Sequence, residues 1–398
     1  MSPNSLENLD PRQLGLQLQQ ARKQGGLIQQ EAAALIGAAR TTMVAIEKGE
    51  RRLKPGELIK LARGYGRQVS DFVRQRPDDV QSFAVQFRAS LRRDDTDDEA
   101  IKPVIDEWQQ LCESYLELEQ ITDSPLPRRY PEEYDVSQLP VSRAAESIAV
   151  AERNRLGLGD GPVPNLRDVL EQEVGLRVFY LAMPSNRFSE IYAFDEKLGG
   201  CLAINIKHPV ERQRRSLAHG YLHFLTHRHR PVLHYEGQYQ RKPLSERLAD
   251  TFPLYFLMPV NSFLRRFADL RGRGKFTPAD LCTLAHYYGV SVQAMALWLE
   301  ELELLPTGTW EMLQHKGFKV REAQRELQLA PVAERADRLP LRLQHLAIEA
   351  LDDGLITEGR FASLLGVGRL EAQRLAELLR GHASDSFEGA TGLDLSRF

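Results

Sequence analysis

The 398-residue sequence has few cysteines, no long apolar run and no low-complexity tract. Its three cysteines, Cys112, Cys201 and Cys282, lack CxxC spacing, which excludes a cysteine-rich zinc module and suits reduced thiols. No window approaches the roughly 18 consecutive apolar residues that a membrane-spanning helix needs. The first residues lack both the positive charge and the apolar core of a secretory signal. We therefore expect a cytoplasmic protein without a membrane partner.

The sequence does contain enough apolar side chain for several hydrophobic cores. Hydrophobic residues make up 42% of the chain and charged residues 27%, a balance typical of folded proteins. A chain of this length exceeds one ordinary domain. Most apolar residues recur at helical spacing, so the predicted fold class is multidomain and mainly α.

Residues 1–76 are basic although the whole chain is not. They contain 13 Lys and Arg against 7 Asp and Glu, whereas the net charge of the full chain is −3. A basic module on an otherwise acidic protein is typical of a nucleic-acid reader attached to another unit. A solvated basic surface would carry the same charge, so charge alone does not distinguish it from a nucleic-acid-binding module.

The apolar residues between Leu14 and Phe72 predict five short helices with glycines at the breaks. The second helix would span about 29–36 and the third about 40–48, joined through 37–39, which is the layout of a helix-turn-helix. The fifth would lie around Val69 and Phe72. A five-helix protein-docking domain is the alternative, and the basic charge favours DNA binding.

The segment QQEAAALIGAARTTMVAIEKGERRLKPGELIKLARGYG, 29–66, resembles the XRE (Cro-type) repressor family. The resemblance includes Glu47 near the end of the third helix and Gly49 after it. One position departs from the family pattern, because Ala39 stands where a serine or threonine often caps the third helix. Losing such a cap costs about 1 kcal/mol, which weakens the helix without excluding it.

The XRE resemblance implies which side chains meet DNA. Arg40, Thr41 and Ala45 would face the major groove, with Arg40 as the base reader because a guanidinium can bind guanine O6 and N7 together. Gln30 would contact a phosphate at the start of the second helix. The other predicted phosphate contacts, which position the protein without reading sequence, are Thr42, Lys48, Arg51, Arg52 and Lys54. The implied partner is a double-stranded DNA operator, bound by a homodimer.

The middle of the chain changes from helical to strand-like patterns. A helix is predicted over about 101–121, followed by a proline-rich crossing and another helix that begins near Ser142. GLRVFYLAM, RFSEIYAF and GGCLAINI, within 165–206, are short β-branched and aromatic runs, so three strands are predicted. A helix over about 211–229 follows directly.

Two histidines in LAHGYLHFLTHRH, 217–229, have the spacing of metal ligands. His219 and His223 are four residues apart, so a helix places both on one face, where they can bind a single divalent cation. A third ligand is required, and Glu246 of the following helix is the candidate. Asp250, one turn further on, could orient a ligand histidine from outside the metal sphere.

This arrangement resembles the ImmA/IrrE metallopeptidases. The matching pieces are AINI at 203–206, RQRRSLAHGYLHFLTH at 212–227 and SERLADTFPLYFLMP at 245–259. The chain is similar to the subgroup with an XRE module ahead of the peptidase-like domain. The resemblance implies a zincin-like α+β domain with an approximately three-stranded sheet that binds Zn²⁺, with Mn²⁺ as the alternative.

Gly220 is the main departure from this family. The residue after the first histidine is normally a glutamate that handles the proton of the attacking water, and glycine has no group to accept one. General acid–base catalysis typically contributes about 10²–10⁴-fold, so peptidase activity should be badly impaired and no catalytic residue is assigned. Glu190, Glu211 and Glu236 are the carboxylates near enough in sequence to be considered as substitutes.

The C-terminal third contains two further helix–turn–helix rhythms, at 276–305 and 355–379. The first offers few basic residues, so packing or ligand sensing is favoured there over DNA binding. The predicted division is an XRE domain at 1–76, a helical connector at 77–135, a zincin-like domain at 136–270 and a helical regulatory or dimerisation region at 271–398.

The sequence is consistent with two functions from different classes. The first is a transcription regulator whose peptidase-like domain senses an effector ligand or a repressor-type protein without cleaving peptides. The alternative is an active metal-dependent peptidase that cleaves a repressor in a stress or mobile-element response.

Overall fold

A computed structural model describes residues 11–24, 26–65, 69, 72, 83–87, 96–136, 139–235, 242–272, 274–330, 332 and 337–388. Its contacts divide the chain into two units, Met1–Asp79 and Val80–Phe398. The segment 77–135, predicted as a connector, therefore lies almost wholly within the second unit. In the described residues, no helix is long and apolar enough to cross a membrane.

The first unit contains the predicted helix-turn-helix. Its helices are α1 (Pro11–Gln24), α2 (Gln29–Leu35), α3 (Arg40–Glu47) and α4 (Pro55–Gly64). Leu18, Met43 and Leu58, from three of these helices, are fully buried in one core. Most of the predicted fifth helix falls outside the described residues, although Phe72 packs into the same core.

The second unit is built around a four-stranded mixed sheet. Its strands are β1 (Arg177–Leu181), β2 (Phe188–Asp195), β3 (Gly199–Asn205) and β4 (Val232–Tyr235), in the order β1-β3-β2-β4. β1 runs parallel to β3, and the other two pairings are antiparallel. Three strands match the prediction, and β4 was not predicted from the sequence.

Helices surround the sheet. In chain order they are α5 (Phe83–Gln86), α6 (Thr96–Ile121), α7 (Val141–Arg155), α8 (Leu166–Val169), which runs into a π-turn at Leu170–Val174, α9 (Val210–Thr226), α10 (Leu244–Leu257), α11 (Val260–Gly272), α12 (Pro278–Tyr288), α13 (Val292–Glu301), α14 (Thr309–His315), α15 (Val320–Glu326), α16 (Leu341–Asp352), α17 (Glu358–Leu365) and α18 (Arg369–Glu388). The multidomain, mainly α fold class is thus confirmed.

Both faces of the sheet are buried, by different sets of helices. Because successive strand residues point to opposite faces, Tyr192 and Leu202 pack with α7, α9 and α10. Ile191 and Ala203 pack with α6 and the C-terminal helices α16–α18. The first of these two layers holds the helix with the histidine pair, so side chains of β2 and β4 on that face lie under the candidate site.

Candidate metal centre and DNA-binding surface

His219 and His223 lie in the last two turns of α9, on a buried part of that helix. Their exposed fractions are 1% and 2%, and Tyr221 and Leu222, which lie between them in α9, belong to the hydrophobic core. The four-residue spacing puts both imidazoles on one face, as the sequence predicted. Buried polar rings need partners, and the partners come from α10 and from the sheet.

Glu246, in the first turn of α10, faces both histidines. Its carboxylate oxygens are 3.6 Å from His219 Nε2 and 3.4 Å from His223 Nε2. The donor atoms of these three residues all lie within 4.8 Å of one another. Two ligands of a tetrahedral zinc ion, each bound at about 2.1 Å, are roughly 3.4 Å apart.

The hydrogen bonding of the two imidazoles supports a metal ion at this position. His219 Nε2 and His223 Nε2 are buried and have no hydrogen-bond partner among the described residues. A buried polar atom left without a partner costs free energy, and a divalent cation between the two rings and Glu246 would satisfy both nitrogens. The residues present therefore fit the metal that the sequence resemblance implies.

A carboxylate on the sheet lies behind His219, on the side away from Glu246. Glu190 Oε1 is 2.6 Å from His219 Nδ1 and 2.7 Å from His234 Nδ1. Glu190 of β2 is paired with His234 of β4 in the sheet register, so both side chains emerge on the same face. The two histidine rings are stacked, with centroids 4.3 Å apart.

Glu190, His219 and His234 could themselves be considered a metal site, but the distances between their ligand atoms argue against it. Separations of 2.6 and 2.7 Å are hydrogen-bond distances and are shorter than the roughly 3.4 Å between two ligands of one ion. The two rings that approach this oxygen are stacked, and neither contact has the geometry of a hydrogen bond. The set is better described as a carboxylate held between two imidazoles.

Burial and neighbouring charges shift the pKa values of His219 and Glu246 in directions that favour metal binding. Burial lowers the pKa of His219, against the opposing effect of Glu190. Burial would raise the pKa of Glu246, but His223 and the other histidines outweigh it and hold that pKa below its usual range. A neutral imidazole and an ionised carboxylate are both metal ligands.

The pKa values of Glu190 and His234 move apart because the two groups face each other. Burial favours the neutral form of each, and their mutual attraction outweighs it. The pKa of Glu190 is therefore well below its usual range, and the pKa of His234 is raised. Glu190 is thus an anion enclosed in the domain interior.

Asp250 lies on the Nε2 side of His219, the side on which a metal would bind. Its Oδ1 is 3.8 Å from that nitrogen and accepts a hydrogen bond from Arg215 at 2.8 Å. Lys242 bonds the other oxygen. Although burial raises the pKa of Asp250, these cations hold it below its usual range. A group that orients His219 from outside has to reach Nδ1, where Glu190 lies.

Gly220 faces β3, and the space that a side chain at this position would occupy is already filled. A Cβ atom at this position would lie 2.4 Å from Cδ1 of Leu202, which is itself fully buried. A side chain at residue 220 therefore requires Leu202 to change its conformation. The sequence alone showed that the glutamate is absent, whereas the packing shows that the side chain of Leu202 occupies the space beside Gly220.

The carboxylates considered as substitutes for that glutamate are placed as follows. Glu190 contacts the Nδ1 edge of His219, away from the Nε2 edge that faces Glu246. Glu211 is eight residues before His219 on α9, roughly 12 Å along the helix axis. Glu236 lies outside the described residues.

A groove adjoins the candidate metal centre at Asp250. It encloses about 620 Å³ between the start of α9, α10 and α13, and its lining includes Arg215, Leu254 and Trp298. That volume is in the range of small-ligand sites. The groove is therefore charged at the end beside the predicted metal ligands, where Arg215 and Asp250 lie, and apolar along its wall at Leu254 and Trp298.

In the first unit, α3 exposes the side chains predicted to meet DNA. Thr41, Ala45 and Lys48 follow one another at four and three residues on the side opposite the buried Met43 and Ile46. By exposure, the predicted set divides into exposed Gln30, Arg40, Thr41, Lys48, Arg52 and Lys54 and partly buried Thr42, Ala45 and Arg51. Arg51 is 2.9 Å from Glu57, so this cation is already paired.

Glu47 explains how α3 is held in place. It is 4% exposed and accepts hydrogen bonds from Arg22 at 2.6 Å and from Gln29 at 2.9 Å. Burial would raise the pKa of Glu47, but these donors outweigh it and lower that pKa. One carboxylate thus ties α1, α2 and α3 together, while α3 itself starts at Ala39 without a side-chain cap.

Comparison with known families finds a match within each of the two units. Residues 13–72 match the model of a helix-turn-helix domain, and residues 171–300 match the model of an IrrE N-terminal-like domain. No curated protein matches the chain in a sequence search. The first match covers the Glu47 network and the exposed face of α3, and the second covers all of the candidate metal ligands. The protein is therefore a fusion of an XRE-like helix-turn-helix domain with a domain of the IrrE-like metallopeptidase family.

Proposed function

We propose that this protein is a transcription regulator whose IrrE-like domain acts as a metal-dependent sensor without peptidase activity. The observation that carries the proposal is Gly220, which stands next to the first ligand histidine with its space occupied by Leu202. The helix-turn-helix domain and the peptidase-like domain support a regulator with a peptidase-like module. The loss of catalysis and the sensing role are the proposed part.

The sensor would hold Zn²⁺, or alternatively Mn²⁺, through His219, His223 and Glu246. A bound cation supplies Lewis acidity and a position for a ligand atom. The chain supplies no carboxylate from residue 220 to accept a proton there. Glu190 faces the other edge of His219, and the pKa of Asp250 is lowered, which makes it a weak base.

The groove beside Asp250 is the proposed effector site. Asp250 lies 3.8 Å from His219 Nε2 and also contacts Arg215 of the groove wall. A ligand that recruits Arg215 would therefore change the surroundings of the metal ligands. The change would be passed to the DNA-binding unit, which acts as a homodimer on two half-sites about one helical turn apart.

The DNA-binding part is tested with the full-length protein and a random-sequence DNA library. A sequence motif should be selected, and its binding should weaken steeply with added salt because phosphate contacts release counterions. Chelation of the metal should change the affinity for that motif. The absence of any selected motif would overturn the regulator proposal.

The peptidase part is tested by restoring the missing glutamate. Gly220→Glu alone is expected to clash with Leu202, so the informative protein is Gly220→Glu combined with Leu202→Ala, with Leu202→Ala alone as the matched control. With zinc or manganese and candidate repressor proteins, the double variant should cleave more than the control. If the wild type cleaves a repressor as efficiently as the double variant does, the sensor proposal is contradicted.

One observation favours the rival function, a working peptidase that cleaves a repressor. Asp250 is a carboxylate on the metal side of His219, at 3.8 Å from Nε2, and could take over the role of the missing glutamate. In that case the wild type would cleave a repressor, and both Asp250→Asn and His223→Ala would abolish the cleavage. No cleavage by the wild type would exclude the rival for the repressors tested.

A further inference from the structure

The contacts around Glu190 concern two histidines, only one of which belongs to the predicted ligand set. His234 was not predicted from the sequence, yet its ring is stacked on His219 at 4.3 Å with an angle of 19° between the planes. Both Nδ1 atoms approach the same oxygen of Glu190. Both contacts are short but lack the alignment of a hydrogen bond, so the geometry places Glu190 at the Nδ1 edge of both rings.

This arrangement sets the direction of the other ring nitrogens. In nearly parallel imidazoles whose Nδ1 atoms meet at one point, both Nε2 atoms lie on the far side from that point. His219 Nε2 faces Glu246 at 3.6 Å, so the far side is the metal side. His234 Nε2 therefore points to the same side as the predicted ligand nitrogens.

The stacking also distinguishes the roles of the two rings. Nε2 of His219 would hold the cation, and the ring of His234 is stacked beside that ring rather than in line with this nitrogen. His234 would therefore contact a ligand of the cation rather than the cation itself. It is also absent from the set formed by His219, His223 and Glu246.

We propose that Glu190 is the outer carboxylate of the metal centre and that His234 is the side chain that hydrogen-bonds an oxygen ligand completing the coordination. Glu190 fixes the Nδ1–H form of both histidines, which leaves Nε2 of His219 free for the metal. His234 then selects for oxygen ligands such as a carboxylate or a hydroxamate. This inference rests on the proposed function because it assumes that the site binds a metal.

The experiment uses full-length protein loaded with cobalt(II), whose visible absorption reports coordination, and acetohydroxamate as the oxygen ligand. Glu190→Gln should weaken cobalt binding by about 10–100-fold, the range found for outer partners of ligand histidines. His234→Phe keeps a ring stacked on His219 and should weaken cobalt binding much less than Glu190→Gln does. It should weaken acetohydroxamate binding by roughly 10-fold, the worth of one hydrogen bond.

The matched control is His345→Phe, because His345 is an exposed histidine on α16. This variant should change neither affinity. If Glu190→Gln binds cobalt as tightly as the wild type, Glu190 is not the outer carboxylate. If His234→Phe loses cobalt as severely as Glu190→Gln, or binds acetohydroxamate normally, the role of His234 is overturned. A wild type that binds no cobalt overturns the whole inference.

A measurement on the wild type covers the case in which Glu190→Gln does not fold. With selectively ¹⁵N-labelled histidine, the zinc-loaded protein should show His219 and His234 protonated at Nδ1, and a proton at Nε2 of His219 would contradict the proposal. These measurements need no DNA. A protein that passes them but binds no operator would retain this metal centre and lose only the proposed regulatory function.

Discussion

The two units each enclose a glutamate, and the partners of the two carboxylates differ. Glu47 of the first unit is bonded by Arg22, Gln29 and Gln19, whose donors are used within the helix-turn-helix core. Glu190 of the second unit faces two histidines, and the far nitrogen of His219 has no partner among the described residues. The first network is closed by hydrogen bonds within the protein, whereas neither the oxygens of Glu190 nor the ring nitrogens of His219 make an aligned hydrogen bond to a described residue.

This difference indicates what each buried charge does. A carboxylate whose hydrogen bonds are all made within the protein supports the fold alone, so its removal should lower the stability. A buried polar atom without a hydrogen-bond partner is the situation expected at a binding site. Variants of the two glutamates should therefore have separable consequences.

The largest effect is expected from Glu47→Ala. It would leave Arg22, which is 6% exposed, buried without its counter-charge, at a cost of about 3 kcal/mol. The first unit should lose much of its stability in a urea titration of the full chain, and DNA binding should fall with it. Glu50→Ala, an exposed glutamate nearby, is the control, and an equal loss in both variants would contradict the role of the network.

The same carboxylate predicts an acid sensitivity of the first unit. Because the folded-state pKa of Glu47 is lowered, its stabilisation is fully present above the usual value of 4.5 and is lost as the pH falls through the lower folded-state value. Stability measured from pH 6 to pH 3 should therefore fall more steeply in the wild type than in Glu47→Gln. Parallel curves for the two proteins would argue against this assignment.

The next largest effect concerns the candidate metal centre. His223→Ala removes one of three predicted ligands and should weaken zinc binding by more than about 100-fold, since even outer partners cost about 10–100-fold. Competition with a coloured chelator measures this affinity. His345→Ala should bind zinc like the wild type, and the stability of the first unit should be the same in all three proteins.

An intermediate effect is expected at the DNA surface. Arg40→Ala should cost about 1–3 kcal/mol on the selected operator and little on random DNA, because the loss concerns a base contact. Lys48→Ala should weaken binding to all sequences and lower the salt dependence by about one counterion. Lys102→Ala removes one exposed charge from the other unit and is the control. Equal losses on operator and random DNA would exclude Arg40 as a base reader.

The smallest effect compares the starts of two helices. Ala39 precedes α3 with φ −75° and ψ 155°, close to the φ −68° and ψ 148° of Ser291, whose hydroxyl caps α13. Ala39→Ser should therefore stabilise the first unit by about 1 kcal/mol, and Ser291→Ala should destabilise the second unit by a similar amount. Thermal unfolding of both variants checks this, and an unchanged midpoint for Ala39→Ser would show that the cap does not form.

Much of the fold could be predicted because helices are local. The four helices between residues 11 and 64, the ligand helix and the turn at Gly289 follow from apolar spacing and from glycine and serine at the ends. β4 was missed because VLHY is only four residues long and its strand character comes from pairing with β2.

The candidate site was predicted only where its residues share a helix or a family motif. His219 and His223 are related by one helical turn, and Glu246 was assigned through the resemblance. Glu190 carried one signal, a charged residue in the otherwise apolar and aromatic strand RFSEIYAF. That signal did not identify its partners, because the register between β2 and β4 cannot be read from either strand alone.

By itself, the sequence determined the helical segmentation, the basic first unit, the histidine pair and the absence of a carboxylate at Gly220. These properties depend on residue type and on spacings within one helix. Only the tertiary structure decided that Leu202 fills the space beside Gly220, that Glu190 contacts His219 and His234, and that Asp250 lies on the Nε2 side of His219. Those contacts join residues on different elements, and strand register and helix packing set their distances.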